Sequence, residues 1–218
     1  MTSRTLFSAI LSLAAAVALP GAARAQRFEF GAGGGGSLYT NKDVTNATGS
    51  VEAKFKPSFA ATAYVGQNMY RYVSGEFRYT YQNNTMELSG AGQKASFSGR
   101  SHAIHYDLVV HFRPLGARVR PFFLGGGGVK MYEGTGAEVV FQPLQNYALL
   151  TQTRQVVPMV TFGAGVKVKV SNKIGVRFEV RDYFSQFPKD VIAAAPGARI
   201  ASGWIHNLVP LFGLTFLF

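Results

Sequence analysis

The sequence predicts an all-β protein, an eight-stranded antiparallel transmembrane up-and-down β-barrel. Three observations lead to this fold class. Apolar and polar side chains alternate along most of the chain, the alternating segments are about 10 to 14 residues long, and short and long connections between them follow each other in turn. The composition agrees, because 218 residues with 25 glycines, 13% aromatic side chains and no cysteine suit twisted sheets with close backbone contacts.

The first 25 residues have the pattern of a secretory signal peptide. Arg4 precedes an apolar stretch from Leu6 to Leu19, and Ala23 and Ala25 form a small-x-small cleavage pattern. A membrane anchor is the alternative, but the stretch is short for a bilayer and a Pro-Gly pair ends it. We expect cleavage after Ala25, which leaves residues 26–218 as one barrel domain.

The period-two alternation is clearest near the end of the chain. Ile174, Val176, Phe178 and Val180 alternate with Gly175, Arg177, Glu179 and Arg181. A strand places such sets on opposite faces, whereas a helix does not. The same pattern predicts eight strands: Arg27 to Tyr39, Glu52 to Val65, Val73 to Tyr81, Ile104 to Arg113, Val119 to Tyr132, Val160 to Val170, Ile174 to Phe184 and Leu208 to Phe218.

The connections predict how the strands are arranged. Short turns are expected at Gly66 to Met69, Pro114 to Arg118 and Ser171 to Lys173, and long loops at Thr40 to Val51, Gln82 to Arg100, Glu133 to Arg154 and Ser185 to Gly203. An even-stranded outer-membrane barrel has this alternation, with both termini in the periplasm. The loop from Glu133 to Arg154 is the most apolar, and we expect it to pack over the barrel mouth or to bind a partner.

Aromatic residues collect at both ends of the predicted strands, as in the girdles of a barrel in a bilayer. At the loop ends they are Tyr39, Tyr79, Tyr81, Tyr132, Tyr183 and Trp204, and at the opposite ends Phe28, Phe30, Tyr70, Phe112, Phe216 and Phe218.

The last strand and the glycine-rich strand starts carry a family resemblance. The strand from Val209 ends in Phe and places Phe212, Leu214, Phe216 and Phe218 on one face. With the segments 28–36 and 121–128, this resembles the small outer-membrane β-barrel proteins of Gram-negative bacteria, of the type of the OmpA transmembrane domain. The resemblance implies that Phe216 and Phe218 form the signal read by the barrel-assembly machinery. Because nothing follows Phe218, we expect no peptidoglycan-binding domain.

The positive charge falls mostly on the inward faces of the strands, although the whole chain carries a formal charge of +11. A basic surface must face outward to meet phosphates, so we do not expect nucleic-acid binding. The interior of an eight-stranded barrel is only wide enough for side chains to fill. We therefore expect a luminal ionic network of Glu76, Arg78, Asp107, Arg120, Lys167, Lys169, Arg177, Glu179 and Arg181. The alternative is a narrow anion-preferring channel through this basic lumen.

Other signals for chemistry are weak. Gly31, Gly33 and Gly36 match a dinucleotide motif, but no helix follows them, and strand packing explains the glycines. Neither a cofactor nor a metal site is expected, because the histidines lack a ligand spacing. A lipid-modifying enzyme remains a second alternative, using Ser101 with His102, His105 beside Asp107, or His206 with a loop serine.

The expected role is therefore structural or interactive, without catalysis. The expected partners are outer-membrane lipids, the barrel-assembly machinery during insertion, and an unknown ligand or surface partner at the loops. The expected location is the bacterial outer membrane.

Overall fold

Fifteen strands make up the regular structure of the part of the chain that the structure describes. The computed structural model describes residues 28–201 and 203–218, and the expected signal peptide lies outside them. The strands are β1 (Phe28–Tyr39), β2 (Lys42–Asn46), β3 (Gly49–Phe55), β4 (Ser58–Asn68), β5 (Val73–Asn83), β6 (Met86–Gly90), β7 (Gln93–Phe97), β8 (Gly99–His111), β9 (Val119–Gly134), β10 (Ala148–Leu150), β11 (Arg154–Lys169), β12 (Ile174–Gln186), β13 (Ile192–Ala194), β14 (Arg199–Ile200) and β15 (Trp204–Leu217). Within the same residues, no helix is long and apolar enough to cross a membrane.

Eight of these strands close into an antiparallel barrel, which confirms the predicted fold class. The order around the barrel is β1, β4, β5, β8, β9, β11, β12 and β15, and β15 pairs with β1 to close it. Each barrel strand therefore pairs with the next barrel strand along the chain. Closure pairs the edges of all eight strands. Strands in lipid require this, because no water is present there to bond with unpaired backbone groups.

The alternation of side chains sorts them between lumen and outer surface. In β12, for example, Arg177, Glu179 and Arg181 are buried, while Phe178 and Val180 are about half exposed. Large apolar side chains cover the outside of the barrel, among them Phe59, Phe77, Phe123 and Phe162. Such a continuous apolar band suits contact with lipid rather than with water.

The second predicted strand is wrong in its bounds. The segment from Glu52 to Val65 divides at Lys56 and Pro57, so that β3 leaves the barrel and only β4 forms its wall. Proline cannot donate to a strand ladder, and it stands where the chain changes sheets. Phe55, at the end of β3, is therefore not on the barrel wall but is buried in a separate apolar core.

All four long connections contribute strands to further sheets, which the sequence did not reveal. One sheet has the order β14, β2, β3, β6 and β7, and β10 pairs with β13 in a second. We call these two sheets and their connections the head; the opposite end of the barrel, with the short turns, is the turn end. The head has its own apolar core, which includes Val44, Phe55, Leu88, Leu150 and Ile192 and continues onto Tyr132, Val157 and Ile205 of the barrel.

The predicted aromatic girdle at the head end is partly wrong. Tyr132 and Tyr183 are fully buried inside the barrel, and the Tyr39 hydroxyl also points inward, where it donates to Gln82. Successive side chains of a strand point to opposite faces, and these tyrosines fall at the same alternating positions as the buried polar residues. Tyr79 remains outside and is 40% exposed.

Candidate functional site

The lower half of the lumen, towards the turn end, is filled by charged side chains. Four carboxylates and four permanent cations from five strands meet there: Glu29 of β1, Glu76 and Arg78 of β5, Asp107 of β8, Lys167 of β11, and Arg177, Glu179 and Arg181 of β12. All eight are buried. We call this group the ion network, and its formal charge is balanced.

Glu76 lies at the centre of the ion network. Its Oε1 lies 2.5 Å from Nη1 of Arg177 and 3.2 Å from Nζ of Lys167. Its Oε2 lies 3.2 Å from Nη2 of Arg78 and 3.5 Å from Nη2 of Arg181. One carboxylate therefore contacts four cations. Two of them, Arg177 and Arg181, extend from β12 on the opposite wall of the barrel.

Glu179 and Asp107 form further ion pairs with the same arginines. Oε1 of Glu179 lies 2.9 Å from Arg78, and its Oε2 lies 2.7 Å from Nη2 of Arg177. Oδ2 of Asp107 lies 2.5 Å from Nη1 of Arg181, and its Oδ1 meets Nδ1 of His105 at 2.9 Å. Charge-assisted bonds of this kind are among the strongest side-chain hydrogen bonds. Since removal from water costs several kcal/mol per charge, only such multiple pairing makes the arrangement stable.

Glycines on neighbouring strands leave the space that the ion network occupies. Gly126 of β9 faces the lumen beside Asp107, and Gly163 of β11 lies beside Arg181. A Cβ on Gly126 would overlap the carbonyl oxygen of Tyr106 and Oδ1 of Asp107. The glycine-rich segment of β9 thus has a packing role in the lumen.

Two predicted members of the ionic network lie apart from it. No carboxylate among the described residues lies within ion-pair distance of Arg120 or Lys169, at the turn end. Nε of Arg120 instead donates to the Arg113 carbonyl at 3.4 Å. One member was missed, Glu29, which contacts Lys167. His105 lies at the edge of the ion network, where it bonds to Asp107. The alternation of side chains along the strands identifies Glu29 and His105 as inward, but it does not show which charged groups come into contact.

A second polar layer lies above the ion network, around Lys130. The buried Nζ of this residue donates to Tyr39 Oη at 2.9 Å, Gln82 Oε1 at 3.1 Å and Asn207 Oδ1 at 2.7 Å. Its ammonium group thus has three acceptors, which matches its three donors.

An aromatic layer follows at the head end. The Phe55 ring of the head lies 4.9 Å from the Tyr39 ring, 5.4 Å from the Tyr132 ring and 6.4 Å from the Phe187 ring, measured between centroids. The lumen below is therefore capped by apolar side chains of the head.

The histidines do not form the predicted nucleophile pairs with serine. Ser101 points into the lumen, where it bonds with Gln82 and Asn84, whereas His102 lies outside against Tyr79. His206 also lies outside, and its Nδ1 meets Oδ2 of Asp182 at 2.6 Å. In the described part of the chain, no group of three or more acidic or histidine side chains is arranged to hold a metal ion.

Comparisons with known proteins agree with this architecture. The profile of the outer membrane protein beta-barrel domain family matches residues 9–191. The crystal structure of Neisserial surface protein A is similar with a TM-score of 0.55 and 11% identity, over 88% of this chain and 97% of that one. OprG from Pseudomonas aeruginosa is similar with a TM-score of 0.57 and 12% identity, over 89% and 98%. A comparison with curated protein sequences finds no match. At these identities, the likeness to solved structures concerns the fold alone.

Proposed function

The chain belongs to the outer membrane protein beta-barrel domain family, and from that premise we propose that it is a closed, non-catalytic barrel that displays its head for contact with a surface partner. The observation that carries the proposal is the continuous core between head and barrel. Phe55 of the head packs on Tyr132 of the barrel, and Val157 and Ile205 of the barrel belong to the same core. A head held in this way presents a fixed surface rather than mobile loops.

The filled lumen supports a structural role over conduction. An anion would have to pass the ion network, the layer around Lys130 and the aromatic layer around Phe55. Arg78 and Arg181, which lie in the first of these, are fully buried. Displacing such a side chain leaves buried charges unpaired, which costs about 3–5 kcal/mol.

The proposal also assigns an orientation in the bacterial outer membrane. The head faces outward, and the turn end, where β1 begins and β15 ends, faces the periplasm. Barrels of this class have long loops outside and short turns inside. Outer-membrane lipids then contact the apolar wall, and the assembly machinery meets the strand that contains Phe216.

Planar-bilayer recording of the refolded chain tests the closed lumen. We expect a membrane-inserted protein that is electrically silent. A steady anion-preferring current, reversed in selectivity by Lys167→Glu together with Lys169→Glu, would instead support the channel. If the wild type does not conduct and Phe55→Ala does, the head is the part that closes the lumen.

Cysteine labelling on intact cells tests the orientation, because the chain contains no cysteine of its own. Ser89 lies on the head and Ser171 lies on the turn between β11 and β12. The two labelling variants are Ser89→Cys and Ser171→Cys. A membrane-impermeant maleimide should label the first on whole cells and the second only after the outer membrane is opened. The reverse pattern would overturn the proposed orientation.

Lipid-modifying chemistry is a second candidate, favoured by one observation. Asp182 holds Nδ1 of His206 on the outer wall near the head, as an acid holds a general base. If this pair acts on lipid, His206→Ala removes lipid hydrolysis while the folded barrel persists. The matched control is His102→Ala, because His102 also lies outside but bonds with Tyr79.

A further inference from the structure

The turn end of the lumen contains a small cavity with an excess of positive charge. Its volume is about 40 Å³, and its lining includes Arg120, Lys167, Lys169, Glu29 and Thr215. This volume holds about three water molecules or one small oxyanion. Glu29, the acid among the lining residues, contacts Lys167, and neither Arg120 nor Lys169 has a carboxylate within ion-pair distance among the described residues.

Arg120 is the informative member of this group. Only 6% of its surface is exposed, and its Nη2 is buried without a hydrogen-bond partner among the described residues. Its Nε has one long contact with a carbonyl oxygen, at 3.4 Å. Buried guanidinium groups are normally paired with a carboxylate or another anion, because an unpaired buried charge is costly. Carboxylates pair in this way with every arginine of the ion network above.

The surroundings of the cavity attract anions. Arg71, Arg113, Arg118 and Lys173 are exposed on the turns at the same end. Glu76, Asp107 and Glu179 lie further along the lumen, paired within the ion network, and the other acidic side chains outside the cavity belong to the head or to the wall near it. A mouth lined by one sign of charge raises the local concentration of the opposite ion.

We propose that this cavity is a binding site for a phosphate-type oxyanion, held by Arg120 and Lys169. A guanidinium matches the oxygen geometry of phosphate, and the ammonium group of Lys169 adds a second charge. Lys167 contributes one side of the site while it remains paired with Glu29. Thr215 is in the same lining, but its hydroxyl is already hydrogen-bonded to Tyr64 Oη at 2.8 Å, so the two cations form the site. The site is independent of the proposed role of the head.

Calorimetric titration of sodium phosphate into the full folded chain in micelles tests the proposal, with sodium chloride balancing the ionic strength. We expect saturable binding to one site, about tenfold or more weaker in Arg120→Gln and also weakened in Lys169→Gln. The matched control is Arg118→Gln, which removes one positive charge at the same end but outside the cavity lining. It should leave the affinity within about twofold, since exposed charges are screened.

Thermal unfolding gives a second measurement that does not depend on heat of binding. Phosphate should raise the unfolding temperature of the wild type and of Arg118→Gln, but not that of Arg120→Gln. If Arg120→Gln does not fold, Lys169→Gln answers the same question, because its half-buried side chain has no ion-pair partner among the described residues. Absence of saturable binding in the wild type, or equal weakening by Arg118→Gln, would overturn the site.

The phosphate group can come from solution or from a phospholipid headgroup, and nanodiscs distinguish the two. If phospholipid nanodiscs weaken the binding of free phosphate relative to micelles of a phosphate-free anionic detergent, a headgroup competes for the site. If the two give equal affinity, the site takes free phosphate.

Discussion

Arg177 and Glu76 join opposite walls of the barrel, with Nη1 of the arginine 2.5 Å from Oε1 of the glutamate. Three barrel strands separate β12 from β5 in either direction around the ring. This contact and its neighbours therefore brace the barrel across its full width. Such contacts exist only after closure, when distant parts of the chain have come together.

Replacing the central carboxylate should destabilise the barrel strongly. Glu76→Gln leaves four cations facing fewer negative charges, and we expect a loss of about 3–5 kcal/mol in the free energy of unfolding. Urea titration followed by gel mobility measures it. Addition of Arg177→Met should recover part of the loss by restoring the charge balance. Glu52→Gln on the head should cost less than about 1 kcal/mol, since its pair is surface-exposed.

Neighbouring glycines of β9 should differ sharply in their tolerance of alanine. Gly126→Ala places a methyl group into Tyr106 and Asp107, whereas the nearest atom to a Cβ on Gly127 is the Met159 carbonyl oxygen, at 3.5 Å. We expect folded yield to fall in Gly126→Ala and to stay near wild type in Gly127→Ala. Heat-modifiable migration on gels measures this yield. Equal behaviour of the two variants would show that the lumen adapts to the added methyl group.

The head should loosen without unfolding the barrel when Phe55 is truncated. Phe55→Ala removes the ring that contacts Tyr39, Tyr132 and Phe187. Large-to-small changes of this kind cost about 3–5 kcal/mol. Limited proteolysis should then cleave the head of the variant, while gel mobility still reports a folded barrel. Phe59→Ala, on the lipid-facing wall, is the control that should leave the head resistant.

The head should also lose stability in acid. A hydrogen bond from Lys56, with Nζ 2.8 Å from Oε2, is the main reason that the pKa of Glu87 lies below its ordinary value of 4.5, and the bond from Lys54 adds to it. Because the folded pKa is the lower one, this stabilisation is complete above pH 4.5 and is lost as the pH falls through the folded value.

Hydrogen-exchange protection of β3 and β6 amides measures this acid dependence. Protection, corrected for intrinsic exchange, should fall with pH in the wild type and less so in Glu87→Gln. Asp43→Asn, an exposed change on the same sheet, should keep the wild-type profile. An unchanged profile in Glu87→Gln would remove Glu87 as its cause.

The last strand should matter for assembly in cells more than for stability. Phe218→Ala removes an exposed aromatic that the family resemblance links to the assembly machinery. We expect less barrel in the outer membrane of cells, but unchanged refolding of the purified chain in detergent. Phe212→Ala, on the same face but in contact with Phe178, should impair refolding instead. Equal losses in both assays for Phe218→Ala would indicate a purely structural role.

The sequence by itself determined the barrel and the inward position of the charges in the ion network. Period-two alternation is a local property, so Glu179, Arg181 and Asp107 could be placed inward without knowing their neighbours. It did not show that Arg120 would lie apart from the carboxylates, or that Glu29 would join them. Those outcomes depend on which strands face each other across the closed ring.

Only the tertiary structure decided that the long loops form a head. A local signal exists for one part of it, because Ala91 and Gly92 form a two-residue turn with positive φ between β6 and β7. The pairing of β14 with β2, however, brings Arg199 opposite Thr45 across more than half of the chain. Such long-range pairing becomes favourable only once the barrel holds the loop ends together, since closure of the barrel has already met the entropic cost of bringing them close.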